Sequence, residues 1–224
     1  PELEQFMLHK LYALHINFKK YFKNYDFHNL YKEILNFCTV DLSAFYFDIR
    51  KDSLYCDTKD SKKRKSTILL LNIILNSLLK WFAPILSFTT EEIYRLLFKD
   101  NKSIHLEKFL NFPNSFSNEK LNQKWLELIK IRNICNISIE EKRANKEIGS
   151  SLEADLNIYL DKKLEGITKN IDFSELCITS KAQISFKEKL ETSAKTTKAK
   201  GTKCTLCWKI IENSCDRTHC PKKT

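Results

Sequence analysis

Glycine is nearly missing from this sequence: three stand among 224 residues, and none opens a loop that could cradle a phosphate. No side chain is set beside a base in the pattern of an activated nucleophile, so phosphate chemistry within the chain is not expected. Long apolar runs are missing too. The longest, residues 67–84, is broken by Asn72, Asn76, Ser77 and Lys80, which makes it a buried helix rather than a membrane span. No basic leader with an apolar core and a small-residue cleavage site opens the chain, and a cytoplasmic protein with no membrane partner is expected. The first residue is Pro1 rather than Met, and the first helix starts without a cap. A segment of a longer chain is the expectation.

What is present can build a core: 42% of residues are hydrophobic and 12% aromatic, enough for one large domain or two small ones. The net charge is +10, with local clusters at Lys62–Lys65 and from Lys195 to Lys203. Such an excess suits a polyanionic partner. A compositional bias toward Lys, Asn and Ile would raise the charge without any partner, so charge alone does not decide the matter.

Cys38, Cys56, Cys135 and Cys177 are scattered among apolar neighbours, as reduced core cysteines are, and no chemistry is assigned to them. The C-terminal cysteines differ. Cys204 and Cys207 are separated by two residues and Cys215 and Cys220 by four, in a segment too short to bury a core. A tetrahedral zinc ion held by Cys204, Cys207, Cys215 and Cys220 would organise it, with His219 as an alternative ligand. Four thiolates leave no open position for water, so the metal would be structural. A disulfide pair, or a knuckle without metal, are the alternatives.

Helical spacing dominates the first 145 residues. Met7, Leu11, Leu14, Phe18, Tyr21 and Tyr25 form one face, and Asp26 is placed to cap a second helix carrying Leu30, Ile34 and Phe37. His28 reads as a half-buried helix residue. The aromatic run Asp41–Tyr55 predicts a third helix. Ile68, Leu71, Ile74, Leu75, Leu78 and Phe82 supply the stripe of a fourth, stopped or kinked at Pro84. Thr89 and Glu92 have capping-box spacing for a short fifth helix, which makes Glu91 and Glu92 helix-start charges rather than a catalytic pair. A long helix is expected over 119–145. Leu152, Ala154, Leu156, Ile158 and Leu160 then alternate at period two, predicting a strand, with a second from Leu176 to Phe186. Residues 187–203, rich in lysine and poor in apolar side chains, read as a tether.

Tyr25-Asp26-Phe27-His28, the run Asp41–Tyr55, Ala83–Thr89 followed by Glu91-Glu92, and Ile148–Ala154 together resemble isoleucyl-tRNA synthetase of the bacterial type. The likeness covers essentially the whole chain. Cys204-x-x-Cys207-Trp208-Lys209 is similar to that family's zinc-binding end, although the second thiol pair is more widely spaced than the usual two residues. The resemblance implies the C-terminal part of a class I aminoacyl-tRNA synthetase, mainly α: a helical anticodon-binding bundle (1–117), a long helix with a small mixed α/β subdomain (118–186), the tether (187–203) and the zinc knuckle (204–224). It also implies that ATP and magnesium are used by catalytic and editing domains outside this segment, and that the protein is a monomer. Lys62-Lys63-Arg64-Lys65-Ser66 superficially resembles a nucleotide-binding lysine-serine loop, but it opens the fourth helix. No catalytic residue is assigned.

Isoleucine tRNA is the partner this implies. Lys62, Lys63, Arg64 and Lys65 are the candidate phosphate contacts, with Trp208 and Lys209 on the knuckle next, Trp208 by stacking on a base. Each has a plainer alternative: a solvated face for the lysines, and knuckle packing for Trp208. Two further functional classes stand beside the ligase part, a free-standing RNA-binding module and a purely structural helical adaptor.

Overall fold

The computed structural model describes residues 1–98, 102–213 and 215. Two compact units share the chain: Pro1–Asp48 with Lys59–Glu119, and Ile49–Thr58 with Lys120–Thr224.

The first unit is helical. α1 (Glu2–Lys23) buries Phe6, Met7, Leu11, Leu14 and Phe18 along one face, which is the expected stripe except that Tyr25 lies beyond the helix and is exposed. Asp26 caps α2 (Phe27–Asn36) by accepting from the Asn29 amide at 3.2 Å. Leu30 and Ile34 of α2 close onto the core, whereas His28 is exposed rather than half-buried. A π-helix (Phe37–Phe47) follows and continues as α3 (Asp48–Cys56), which from Ile49 on belongs to the second unit, so the third helix begins earlier than its sequence pattern suggests. Widening the helix changes the period, and Phe37, Leu42, Phe45 and Tyr46 are the residues it turns inward. Buried Glu4 ties this segment to the next helix, accepting from Tyr46 Oη at 3.3 Å and Thr67 Oγ1 at 3.4 Å.

α4 (Lys62–Phe82) is rotated from the expected stripe. Thr67, Leu70, Ile74, Ser77, Leu79 and Trp81 are its buried residues, while Ile68 is exposed. Leucine and isoleucine surround this helix almost completely, so apolar period alone does not select a face. Trp81 does select one, stacking on Phe18 at 5.4 Å. The helix ends before Pro84, as expected. α5 (Ser87–Phe98) starts two residues ahead of Thr89, so the Thr89–Glu92 capping box is not used. Glu91 instead accepts from Ser103 Oγ (2.8 Å) and the Ile104 amide (3.0 Å), and these bonds hold its carboxyl below the usual carboxylate range.

The second unit packs α6 (Glu119–Ala144) with a three-stranded sheet. Trp125, Leu128, Ile131, Cys135 and Ile139 form the buried face of α6, within the span expected for a long helix. β1 (Ala154–Asp161) is the central strand, and Ala154, Leu156, Ile158 and Leu160 all point inward. β2 (Lys181–Lys187) pairs with it in parallel, β3 (Ser193–Lys198) antiparallel. A parallel neighbour requires a crossover, and residues 162–180 provide it through helical turns at Glu165–Thr168 and Phe173–Leu176.

Two expectations fail here. The second strand starts at Lys181 rather than Leu176, because Asp172 caps the Phe173–Leu176 turn through the amides of Ser174 (2.8 Å) and Glu175 (3.2 Å) and draws Leu176 into a helix. Residues 187–203 are not a tether throughout. Ser193–Lys198 forms the third strand, with buried Thr196 donating its amide to Ser138 Oγ at 3.1 Å. Small polar side chains can fill such an edge when a partner satisfies them. No helix of the described residues is long and apolar enough to cross a membrane.

Candidate functional site

Three buried thiols converge in the second unit. β4 (Thr202–Lys203) and β5 (Ile210–Ile211) pair antiparallel, and the turn between them carries Cys204 and Cys207. The Cys204 amide donates to Lys209 O at 2.9 Å and the Trp208 amide to Cys204 O at 3.0 Å, which folds the turn around the sulfurs. The Sγ atoms of Cys204, Cys207 and Cys215 lie within 4.8 Å of one another, with Cys207 and Cys215 3.9 Å apart. A tetrahedral zinc ion about 2.3 Å from each ligand needs sulfurs about 3.8 Å apart. The donor set fits. Burial pushes the Cys207 thiol above its ordinary value, so metal binding must displace protons here. Cys220 and His219, the expected fourth ligand and its alternative, lie outside the described residues.

Gly201 sits at the entry to this hairpin with φ +126°, and a Cβ there would meet Ile211 O at 2.3 Å. This is one of the few places where glycine is required. The hairpin is anchored to the unit by the Ile210 amide, which donates to Ser180 Oγ at 2.6 Å. Cys56 packs against the thiol cluster and lies 3.4 Å from Leu206 O through its sulfur. Sequence reading gave Cys56 no part in the site, since nothing in its own neighbourhood signals a partner 150 residues away. Cys135 and Cys177 are buried together, and the thiol-thiol hydrogen bond with burial raises Cys177 well above its ordinary value. They are core thiols.

Trp208 follows the second cysteine with a left-handed backbone (φ 62°) and a ring 61% exposed. Lys203 Nζ stands 5.7 Å from the ring centroid, within cation-π range. Lys209 turns inward instead, its Nζ 3.5 Å from Ser174 Oγ.

The basic cluster lies in the first unit, in the opening turn of α4. Ser61 caps that turn, its Oγ accepting from the Arg64 amide at 3.4 Å. Lys62 and Lys65 are exposed and Lys63 and Arg64 half-buried. Lys65 pairs with Asp60 at 2.9 Å on an open surface, a contact of little energetic weight. Four cations against the positive end of a helix dipole disfavour the helix.

Residues 4–159 match the family model described as "Anticodon-binding domain of tRNA ligase". The chain is similar to isoleucine-tRNA ligase of Pelagibacter ubique, 66% identical over 217 residues that make up 97% of this chain and 24% of that protein. It is 35% identical to isoleucine-tRNA ligase of Bartonella henselae over 95% of this chain and 23% of that protein. For isoleucine-tRNA ligase of Agrobacterium fabrum the identity is 37%, with 94% and 23% covered. The chain thus spans about a quarter of the length of the curated relatives it matches. A helical first unit and a family match that covers it and reaches into the central strand agree: the chain belongs to the family of anticodon-binding domains of tRNA ligases.

Proposed function

We propose that this chain is the C-terminal, tRNA-binding part of an isoleucine-tRNA ligase, and that it holds the anticodon arm while attachment of isoleucine, with ATP and magnesium, takes place in catalytic and editing domains outside it. The observation that carries this reading is the high identity to one ligase across nearly the whole chain. The family match gives RNA as the partner class. In this reading 1–117 is the anticodon-binding bundle, 118–186 a supporting subdomain and 204–224 a zinc knuckle, in a monomeric cytoplasmic protein.

Cys204, Cys207 and Cys215, with Cys220 or else His219 as the fourth ligand, would hold a structural zinc ion. The metal would fix the turn that presents Trp208, and it would take no part in chemistry. Trp208 stacks on an unpaired base, and Lys203 stands at the ring. Lys62, Lys63, Arg64 and Lys65 contact phosphates. Their unfavourable place at a helix N-terminus supports this, because a dipole that disfavours lysine favours a phosphate brought to the lysines. Lys209 supports the knuckle from within, bonded toward Ser174.

Equilibrium binding of the 224-residue chain to an isoleucine tRNA anticodon stem-loop and to an acceptor-stem minihelix tests the reading. Binding to the stem-loop in preference to the minihelix is expected. Equal affinity for both would contradict it, as would isoleucine-dependent pyrophosphate exchange by this chain alone.

A further inference from the structure

α1 ends in a hydrogen-bonded stop that glycine ordinarily occupies. The Asp26 amide donates to Tyr21 O at 2.9 Å and the Tyr25 amide to Phe22 O at 3.2 Å, the paired bonds of a Schellman motif, which puts its C′ residue in the left-handed region. Here that residue is Tyr25, with φ 57°. A side chain in this conformation strains the backbone. The conformation is imposed from both sides, since Asp26 closes α1 through its amide and starts α2 through its carboxylate.

The hydrogen bonds of the stop hold the backbone there, but the side chain is not packed into the core. The Tyr25 ring is 82% exposed. Its ring neighbour is Phe27, edge-on at 6.5 Å, which in turn abuts Phe22 at 6.0 Å; Phe22 stacks on Phe18 of the core at 5.7 Å. A chain of rings therefore runs from the core to the surface and ends in an aromatic face turned to solvent. Among the described residues, six non-glycine ones have positive φ: Tyr25, Lys146, Asn170, Ile178, Lys189 and Trp208. The two aromatic ones, Tyr25 and Trp208, both hold their rings outside.

The turn carries charges of both signs. Lys20 and Lys23 are exposed in the last turn of α1. Asp26 in the cap and Glu33, bonded by Tyr21 Oη at 3.0 Å and Asn17 at 3.1 Å, keep their negative charge, since these partners are neutral. Lysines at a helix C-terminus have a local reason to be there, so the ring carries the argument and the family match to anticodon-binding domains chooses the partner. A stacking face beside cations fits a nucleobase and its phosphates, the combination that binds unpaired nucleic acid.

We infer that Tyr25 is a base-stacking residue: the α1–α2 turn presents its ring to an unpaired base of the bound RNA, with Lys20 and Lys23 toward the adjoining phosphates. The inference rests on the chain being a tRNA binder, and its test separates the two. Isoleucine tRNA is titrated onto the wild-type chain and onto Tyr25→Gly and Tyr25→Phe at several salt concentrations, and the melting temperature of each protein is recorded. Tyr25→Gly removes the ring and relieves the strain. It is expected to bind about tenfold more weakly with an unchanged salt slope, while melting no lower than wild type. Tyr25→Phe keeps the ring and is expected to bind within about twofold of wild type.

Weaker binding with equal or greater stability is a combination a purely structural residue does not give. Wild-type affinity in Tyr25→Gly overturns the inference and leaves the ring as a docking point for protein. Loss of affinity in step with a fall in melting temperature overturns it as well. A Tyr25→Phe variant as weak as Tyr25→Gly would put the contact on the hydroxyl and overturn stacking. If wild type itself does not bind tRNA, it is the proposed function that fails.

Discussion

His15 should make the first unit sensitive to mild acid. Its ring is buried on α1, stacked on Trp81 at 6.1 Å and edge-on to Phe112 at 4.8 Å, and neither ring nitrogen has a hydrogen-bond partner among the described residues. Burial, and then Lys19, lower its pKa below 6.5. The unfolded chain therefore takes up a proton in a range where the folded one does not. Stability is fully present above about pH 6.5 and is lost as pH falls below it, with a slope of at most one proton, about 1.4 kcal/mol per pH unit. His15→Leu removes both the titration and two unpartnered buried nitrogens. Those cost about 1–3 kcal/mol, offset by about 0.5–1.5 kcal/mol of lost ring packing, so the variant should be about 1 kcal/mol more stable at pH 7.5. Its advantage should widen at pH 5.5, by at most about 1.4 kcal/mol. Urea unfolding followed by circular dichroism at the two pH values measures both differences. Parallel losses in the two proteins between pH 7.5 and 5.5 would refute the reasoning, as would a His15 ring titrating at or above 6.5 by NMR.

The remaining predictions concern the knuckle and the basic turn. Metal-replete protein should carry about one zinc per chain, and Cys204→Ser with Cys207→Ser should abolish it. Chelation should leave most of the helical signal intact, because Cys204, Cys207 and Cys215 all lie outside α1 to α6; elemental analysis and circular dichroism check both. Gly201→Ala, whose Cβ would lie 2.3 Å from Ile211 O, should open the β4–β5 ladder and weaken zinc retention in competition with a chelator, with little change in the first unit. Neutralising Lys62, Lys63, Arg64 and Lys65 together should weaken tRNA binding and flatten its dependence on salt, since each phosphate contact releases counterions. An unchanged slope would leave the cluster a solvated face.

The elements legible in the sequence were those whose period matched one environment along their whole length. α1 and α6 each bury a single face, and β1 alternates without a break, so apolar spacing alone located them. α4 is apolar almost all round, and its orientation is decided by where Trp81 and the small Thr67 and Ser77 can fit, which is tertiary information. The π-helix changes the residue period itself. β3 was overlooked because Ala194 and Thr196, its inward residues, are small, and the burial of Thr196 depends on Ser138, 58 positions earlier. The thiol cluster was legible from Cys-x-x-Cys and a third cysteine nearby. The spacing of Tyr25 places it on the α1 stripe, and only the hydrogen bonds that end the helix reveal that its ring leaves the core. Cys56 could not be linked to the knuckle by any local pattern.

Two isoleucine tRNA transcripts that differ only in the three anticodon bases, titrated onto the 224-residue chain under identical salt, test the central claim most directly. Recognition through unpaired bases predicts at least tenfold weaker binding of the exchanged anticodon, since a single lost base contact is worth about 1–3 kcal/mol, with the same salt slope for both. Equal affinity for the two transcripts would contradict it, and would mean that the chain holds RNA by its phosphates alone.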